Sequence, residues 1–249
     1  MKSKILEKLK EIEAQKGIEI LFAVESGSRA WGFASPDSDY DIRFVFKRST
    51  EDYLDLWEKK DTIEFMTEDD LDGSGWDLKK ATLLLAKSNA SFLGWLFSPI
   101  VYINKGSCLE EMRKLAKENF NPVAGFYHYH SMNKGFQEQL ENEDLKLKPF
   151  FYAIRTALCA NWILKQHTIP PVLFTEFYPF LDPKDCELLD ELIAIKAEQK
   201  ELAEYKVNQR LIELAKEIVQ ENNDGKDNLP TFKPNLDAFN QFFKNQLMH

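Results

Sequence analysis

Residues 25–46 read ESGSRAWGFASPDSDYDIRFVF, and the parsing of this stretch decides the fold. An apolar run, Ile18 to Val24, ends at a Gly-Ser turn, Gly27-Ser28. After ten further residues comes the alternating pair Asp39-Tyr40-Asp41, followed by Ile42, Phe44, Val45 and Phe46. Strand side chains alternate with period two, so Asp39 and Asp41 are expected on one face. Two carboxylates that close repel each other unless a cation lies between them. Mg²⁺ suits such a pair, because it takes one or two carboxylates and completes its octahedron with water and phosphate oxygens. The Gly-Ser turn offers a place for those phosphates. Gly27 lets the backbone come close and adopt φ values that other residues avoid. Amides at a helix start, with the positive end of its dipole, favour an anion. The stretch points to metal-dependent chemistry on a nucleoside triphosphate.

Three plainer readings account for less. Asp37, Asp39 and Asp41 resemble the opening of an EF-hand loop, but its sixth and twelfth positions are Ile42 and Arg48 instead of Gly and Glu. Gly27 and Gly32 have Walker A spacing, but Phe33 and Ala34 follow where Lys and Ser or Thr belong. A solvated acidic turn explains Asp37, but not Asp41, which lies inside an apolar strand pattern.

The rest of the chain sets limits. Its 249 residues suit one large domain or two small ones. A hydrophobic content of 44%, with 19 Phe, is enough for a sizeable core. No apolar run reaches the length of a membrane span, and the amphipathic N-terminus, MKSKILEKLKEIEAQKG, lacks the apolar stretch of a signal peptide. Cys108, Cys159 and Cys186 are dispersed and odd in number, as expected of reduced thiols in a cytoplasmic protein. A net charge of −9 argues against a broad duplex footprint and leaves contact with a nucleic-acid end open.

Periodicity predicts a helix over 2–16, strands over 18–24, 39–47 and 62–66, and a turn or helix at 51–57. Gly73-Ser74-Gly75 reads as a break, with a helix starting at Trp76. After about residue 108 the pattern is helical over 109–119, 122–141, 149–167, 183–203 and 205–222. A polar linker, 222–234, leads to a last amphipathic helix carrying Leu236, Phe239, Phe242 and Phe243. The outline is α+β: a small head over 1–107, then a helical domain over 108–249.

The quoted stretch resembles the signature of the DNA polymerase beta-type nucleotidyltransferase superfamily. More narrowly, it is similar, together with GWDLKKATLLLAKSNASFLGWLFSPIVY (75–102) and FFYAIRTALCANWI (150–163), to the RlaP-like nucleotidyltransferases of bacteria and phages. The resemblance implies a mixed-sheet head with flanking helices, and transfer of a nucleoside monophosphate from an NTP to an acceptor hydroxyl with release of pyrophosphate. It implies two Mg²⁺ ions, or Mn²⁺ in their place, on Asp39, Asp41 and a third carboxylate from a neighbouring strand. The pattern favours Asp72 as metal ligand or base, with Glu64 and Asp77 as competitors. An Asp in a helix's first turn is favourable without any chemistry, which is the plainer role for Asp77. The family often has Glu where this chain has Gly94.

Gly27, Ser28, Arg29 and Arg43 are the expected nucleotide-binding set. Arg43 shares a strand face with Asp39 and Asp41, so phosphate binding and simple balancing of the carboxylates stand evenly. Lys79 and Lys80 open the Trp76 helix. Arg155, in an otherwise apolar helix, needs a partner: a structural carboxylate or a phosphate. His128 and His130 lie two apart on a helix and diverge, so packing suits them better than a shared metal. Trp31, Trp76 and Trp95 read as core. The acceptor hydroxyl is expected on a nucleic-acid end, RNA or DNA, or on another molecule. The alternatives are a protein side chain, giving AMPylation, or no reaction at all, in an antitoxin-like partner-binding module. A homodimer through the aromatic-rich helices is compatible with the sequence.

Overall fold

The computed structural model describes residues 1–68, 70–142, 145–198 and 206–248. In chain order the main elements are α1 (Lys2–Lys16), β1 (Glu19–Glu25), α2 (Gly27–Trp31), β2 (Tyr40–Lys47), β3 (Thr62–Met66), β4 (Leu71–Asp77), α3 (Leu78–Ala86), α4 (Ala90–Leu96) and β5 (Val101–Asn104). There follow α5 (Cys108–Glu118), α6 (Pro122–Gln137), α7 (Leu147–Gln166), α8 (Pro183–Glu198), α9 (Gln209–Gly225) and α10 (Leu236–Met248). They form two compact units: Met1–Ala30, Asp39–Asn119 and Lys233–His249 in the first, Trp31–Ser38 and Phe120–Phe232 in the second.

The first unit is built on a five-stranded sheet of order β3-β4-β2-β1-β5. β1 runs antiparallel to β2 and β5, and β3 to β4, whereas β2 and β4 are parallel, so the sheet is mixed. Alternation sorts β2 into two faces. Ile42, Phe44 and Phe46 join Ile5, Leu9 and Ile12 of α1 in one buried cluster. Asp41, Arg43 and Val45 face the other way, where Val45 pairs with Trp76 in register. Trp76 lies against Trp95 of α4, ring centroids 3.9 Å apart, and α3, α4 and α5 pack together there.

The sequence divides near 107/108, but the structure keeps α5 in the first unit, because Leu109 and Met112 are fully buried and α5 packs on β1. The C-terminal helix also belongs to this unit. Lys47 Nζ donates to the Gln246 carbonyl (3.3 Å), Thr50 Oγ1 to the Leu247 carbonyl (3.1 Å), and Tyr53 meets Phe243 edge to face.

The second unit is helical. α7 is buried on nearly every side and packs against α6 and α9. Buried amides tie the helices by their main chains: Asn133 Nδ2 donates to the Ala153 carbonyl (2.7 Å) and Asn222 Nδ2 to the Ala157 carbonyl (2.9 Å). The short segment 31–38 inserts Phe33 against Phe151, stacked at 4.6 Å, and Lys196 donates to Ser35 Oγ at 2.6 Å.

Helix ends differ from expectation by local capping. α6 tightens to a 3₁₀ turn over Glu138–Glu141. α9 starts at Gln209, where Asn208 accepts from the Arg210 amide at 2.9 Å. The expected 199–203 end of the 183–203 helix and residue 205 of the 205–222 helix lie outside the described residues. No described helix is long and apolar enough to cross a membrane.

Candidate active site

The head's polar cluster forms where β1 ends and β2 and β4 begin. The parallel pairing of β2 and β4 puts Asp41 level with Asp72 and Arg43 level with Ser74. Residues two apart on a strand share a face, so Arg43 lies on the same side as both carboxylates. Its Nη2 donates to Asp41 Oδ1 at 2.7 Å and to Asp72 Oδ2 at 2.9 Å. Its Nη1 donates to the Asp72 carbonyl at 3.0 Å. One guanidinium therefore stands in the cation position between two carboxylates, one from each strand.

Gly27 fixes the other side of Asp41. Its φ is +61°, and a Cβ built on it would fall 1.8 Å from Asp41 Oδ2. Only a residue without a side chain lets that oxygen lie against the backbone of the turn. The Ser26 amide donates to the Asp41 carbonyl at 2.8 Å, so turn and strand are also tied through their main chains. Ser28 is buried in α2.

Glu25 is fully buried at the end of β1. Its Oε1 accepts from the Asp41 amide at 2.7 Å, and its Oε2 accepts from the Tyr102 hydroxyl. Burial pushes its carboxyl up to about 6, against the partly offsetting hydrogen bonds from Tyr102 and Asp41. The same burial, with the carboxylate beside it, raises the Tyr102 hydroxyl. Neither residue was among the expected site residues. The available signal was a single acid closing an otherwise apolar strand, EILFAVE.

Asp39 precedes β2 and is exposed, so alternation within a strand does not govern it. Its carbonyl accepts from Arg29 Nε at 3.1 Å, and the Arg29 guanidinium stacks 3.9 Å from the Tyr40 ring centroid. Among the described residues, no group of three acidic, His or Cys side chains is close enough to hold a metal. Asp41 and Asp72 come together through Arg43, and Asp39 lies one residue before the strand.

The other candidates separate. Glu64 is level with Ser74 and exposed. Asp77 closes the opposite end of β4, about 16 Å along the strand from Asp72. There it caps α3, accepting from the Lys79 amide at 2.8 Å and from the Tyr53 hydroxyl at 3.0 Å. Lys79 pairs with Glu58 and Lys80 with Asp61 at that same end. A Cβ on Gly94 would meet nothing within 4 Å, so α4 has room for a side chain there. In the second unit, His130 stacks on Phe126, a packing role.

The sequence profile of the RlaP family, described as an RNA repair pathway DNA polymerase beta family, matches residues 1–245. The chain is 43% identical over 210 residues to the uncharacterized protein YcgL of Bacillus subtilis (strain 168), covering 83% of this chain and 76% of that one. Among solved structures it is similar to a nucleotidyltransferase-like protein from Exiguobacterium sibiricum 255-15, with 13% identity, a TM-score of 0.35, and coverage of 85% of this chain and 73% of that one.

Proposed function

The chain belongs to the RlaP family, and on that premise we propose that it is a Mg²⁺-dependent nucleotidyltransferase that moves a nucleoside monophosphate from an NTP to the hydroxyl of an RNA end. The observation that carries this is the pairing of Asp41 and Asp72 across β2 and β4, with a cation already held between them at 2.7 and 2.9 Å. A pair of half-exposed carboxylates that holds a guanidinium has the charge and oxygen donors that Mg²⁺ takes. Asp41 and Asp72 would hold the ion, and exposed Asp39 would complete the set. Bound there, the ion would supply charge stabilisation to the transition state of the transfer.

The chain's own groups do the rest. The Gly27-Ser28 backbone and the Ser28 hydroxyl receive the triphosphate. With the carboxylates holding an ion, Arg43 would turn to phosphate oxygens as its next partner, and Arg29 flanks the turn. The acceptor oxygen attacks the α-phosphorus, the α–β anhydride bond breaks, and pyrophosphate leaves. The Asp72 carboxylate takes the hydroxyl proton. The family's description favours RNA as acceptor.

The test is transfer of label from each NTP, labelled at the α-phosphate, to single-stranded RNA with Mg²⁺. The expected result is nuclease-sensitive labelled product with an equal amount of pyrophosphate, and neither with Asp41→Asn. Equal transfer by Asp41→Asn would refute the assignment. Release of orthophosphate instead of pyrophosphate would refute the reaction type. Protease-sensitive label would redirect it to a protein acceptor.

A further inference from the structure

Arg155 sits in α7 with 5% of its surface exposed, and its Nε is the one buried side-chain nitrogen or oxygen without a hydrogen-bond partner among the described residues. No described carboxylate pairs with it. Its neighbours are the Trp31 ring, 4.2 Å from the guanidinium carbon, the Tyr129 hydroxyl and the Cys159 thiol. A buried cation without a counter-ion is costly to keep. Stacking on Trp31 uses the face of the guanidinium, and the Tyr129 hydroxyl bonds its edge, which leaves the Nε–H without a partner in the plane. The guanidinium fork matches the oxygens of a phosphate or carboxylate. Trp31 and Tyr152, edge to face at 5.2 Å, are only partly buried. They place aromatic surface on which a base can stack beside the charge.

We propose that Arg155, Trp31 and Tyr129 form a subsite in the helical unit for one phosphodiester of a single-stranded nucleic acid, its base stacked on the neighbouring aromatic rings. The single charge of the guanidinium balances the single charge of a diester. The RNA reading of the acceptor above suggests the ligand's identity, whereas the unpartnered Nε of a guanidinium without a carboxylate stands without it. Binding here requires no metal.

The test is binding of a fluorescent single-stranded RNA oligomer in EDTA, without NTP, to the full chain and to Arg155→Met and Arg155→Lys. The expected result is binding by wild type, and a loss on the order of tenfold or more for Arg155→Met. The slope of log affinity against log salt should become shallower by about 0.7 in that variant, one phosphate contact on a single strand. Arg155→Met should melt no lower than wild type, since it removes a buried charge that has no carboxylate partner. Arg155→Lys should keep the slope and lose affinity, because the fork is gone. No oligomer binding by wild type would overturn the subsite. So would wild-type affinity in Arg155→Lys, which decides the matter even if the Met variant fails to fold. These measurements are independent of the transfer reaction, so either reading can fail alone.

Discussion

Arg43 holds two carboxylates that repel each other in its absence. Replacing it by Gln leaves Asp41 and Asp72 facing across about one strand spacing with no counter-charge. Arg43→Gln should therefore melt lower than wild type in EDTA, with Mg²⁺ recovering part of the loss. It should also bind Mn²⁺ several-fold more tightly without nucleotide, since a partly exposed ion pair worth up to about 1 kcal/mol no longer has to be broken. Titration followed by electron paramagnetic resonance reads this directly, and weaker Mn²⁺ binding would contradict it. Glu25 gives a pH signature. Its folded-state pKa of about 6 lies above the ordinary 4.5, so its contribution to stability falls as pH rises from about 4.5 to about 6. The loss is about 2 kcal/mol. Glu25→Gln cannot ionise, so denaturant melts in EDTA should show a flatter stability profile across that window. An unchanged profile would place the proton elsewhere.

At this scale the sequence was partly legible. The Gly-Ser turn and the Asp pair stand in one short stretch, and the φ of +61° at Gly27 is what its glycine implied. The choice between phosphate and carboxylate for Arg43 was not legible, because it depends on a partner 29 residues away, brought level by parallel pairing. Arg155 showed itself as a misfit in an apolar helix, but its lack of a counter-ion needed the packing of α6 and α7.

Among the elements, β4 is the one that local pattern misread. Gly73-Ser74-Gly75 looks like a turn, yet the strand runs through it from Leu71 to Asp77. The glycines make room for rings from the adjacent strands: a Cβ on Gly73 would fall 1.9 Å from Phe65, and one on Gly75 2.1 Å from Phe44. Isolated glycines in a strand mark close approach of this kind. Gly75→Val should destabilise the protein by about 1–3 kcal/mol through overpacking, read by chemical denaturation. A neutral result would mean that the Phe44 ring relocates freely. β5 was missed for a related reason. Its four residues are short and follow Ser98-Pro99, and only pairing with β1 makes them a strand. The 62–66 strand and the N-terminal helix, with strong periodicity and a left-handed Gly17 cap, emerged within their expected bounds.

For the whole molecule, the chain leaves the sheet-bearing unit at Trp31, returns at Asp39, leaves again at Phe120 and returns at Lys233. A cut into an N-terminal and a C-terminal half cannot reproduce that, since linear sequence carries no sign that the last helix packs beside α3 and α5. Deleting 233–249 removes Phe239 and Phe242, both buried, at about 1.5–3 kcal/mol each. The truncated chain should lose several degrees or more in melting temperature, whereas an unchanged value would mean that α10 adds nothing to the sheet-bearing unit. Asp41 and Asp72 are proposed above to make a metal-dependent nucleotide site. Calorimetric titration of the four NTPs, with and without Mg²⁺, into wild type and Asp41→Asn tests it most directly. At least one NTP should bind only with Mg²⁺, and that binding should disappear in Asp41→Asn. Binding that ignores both the metal and the substitution, or no binding of any NTP to wild type, would contradict it.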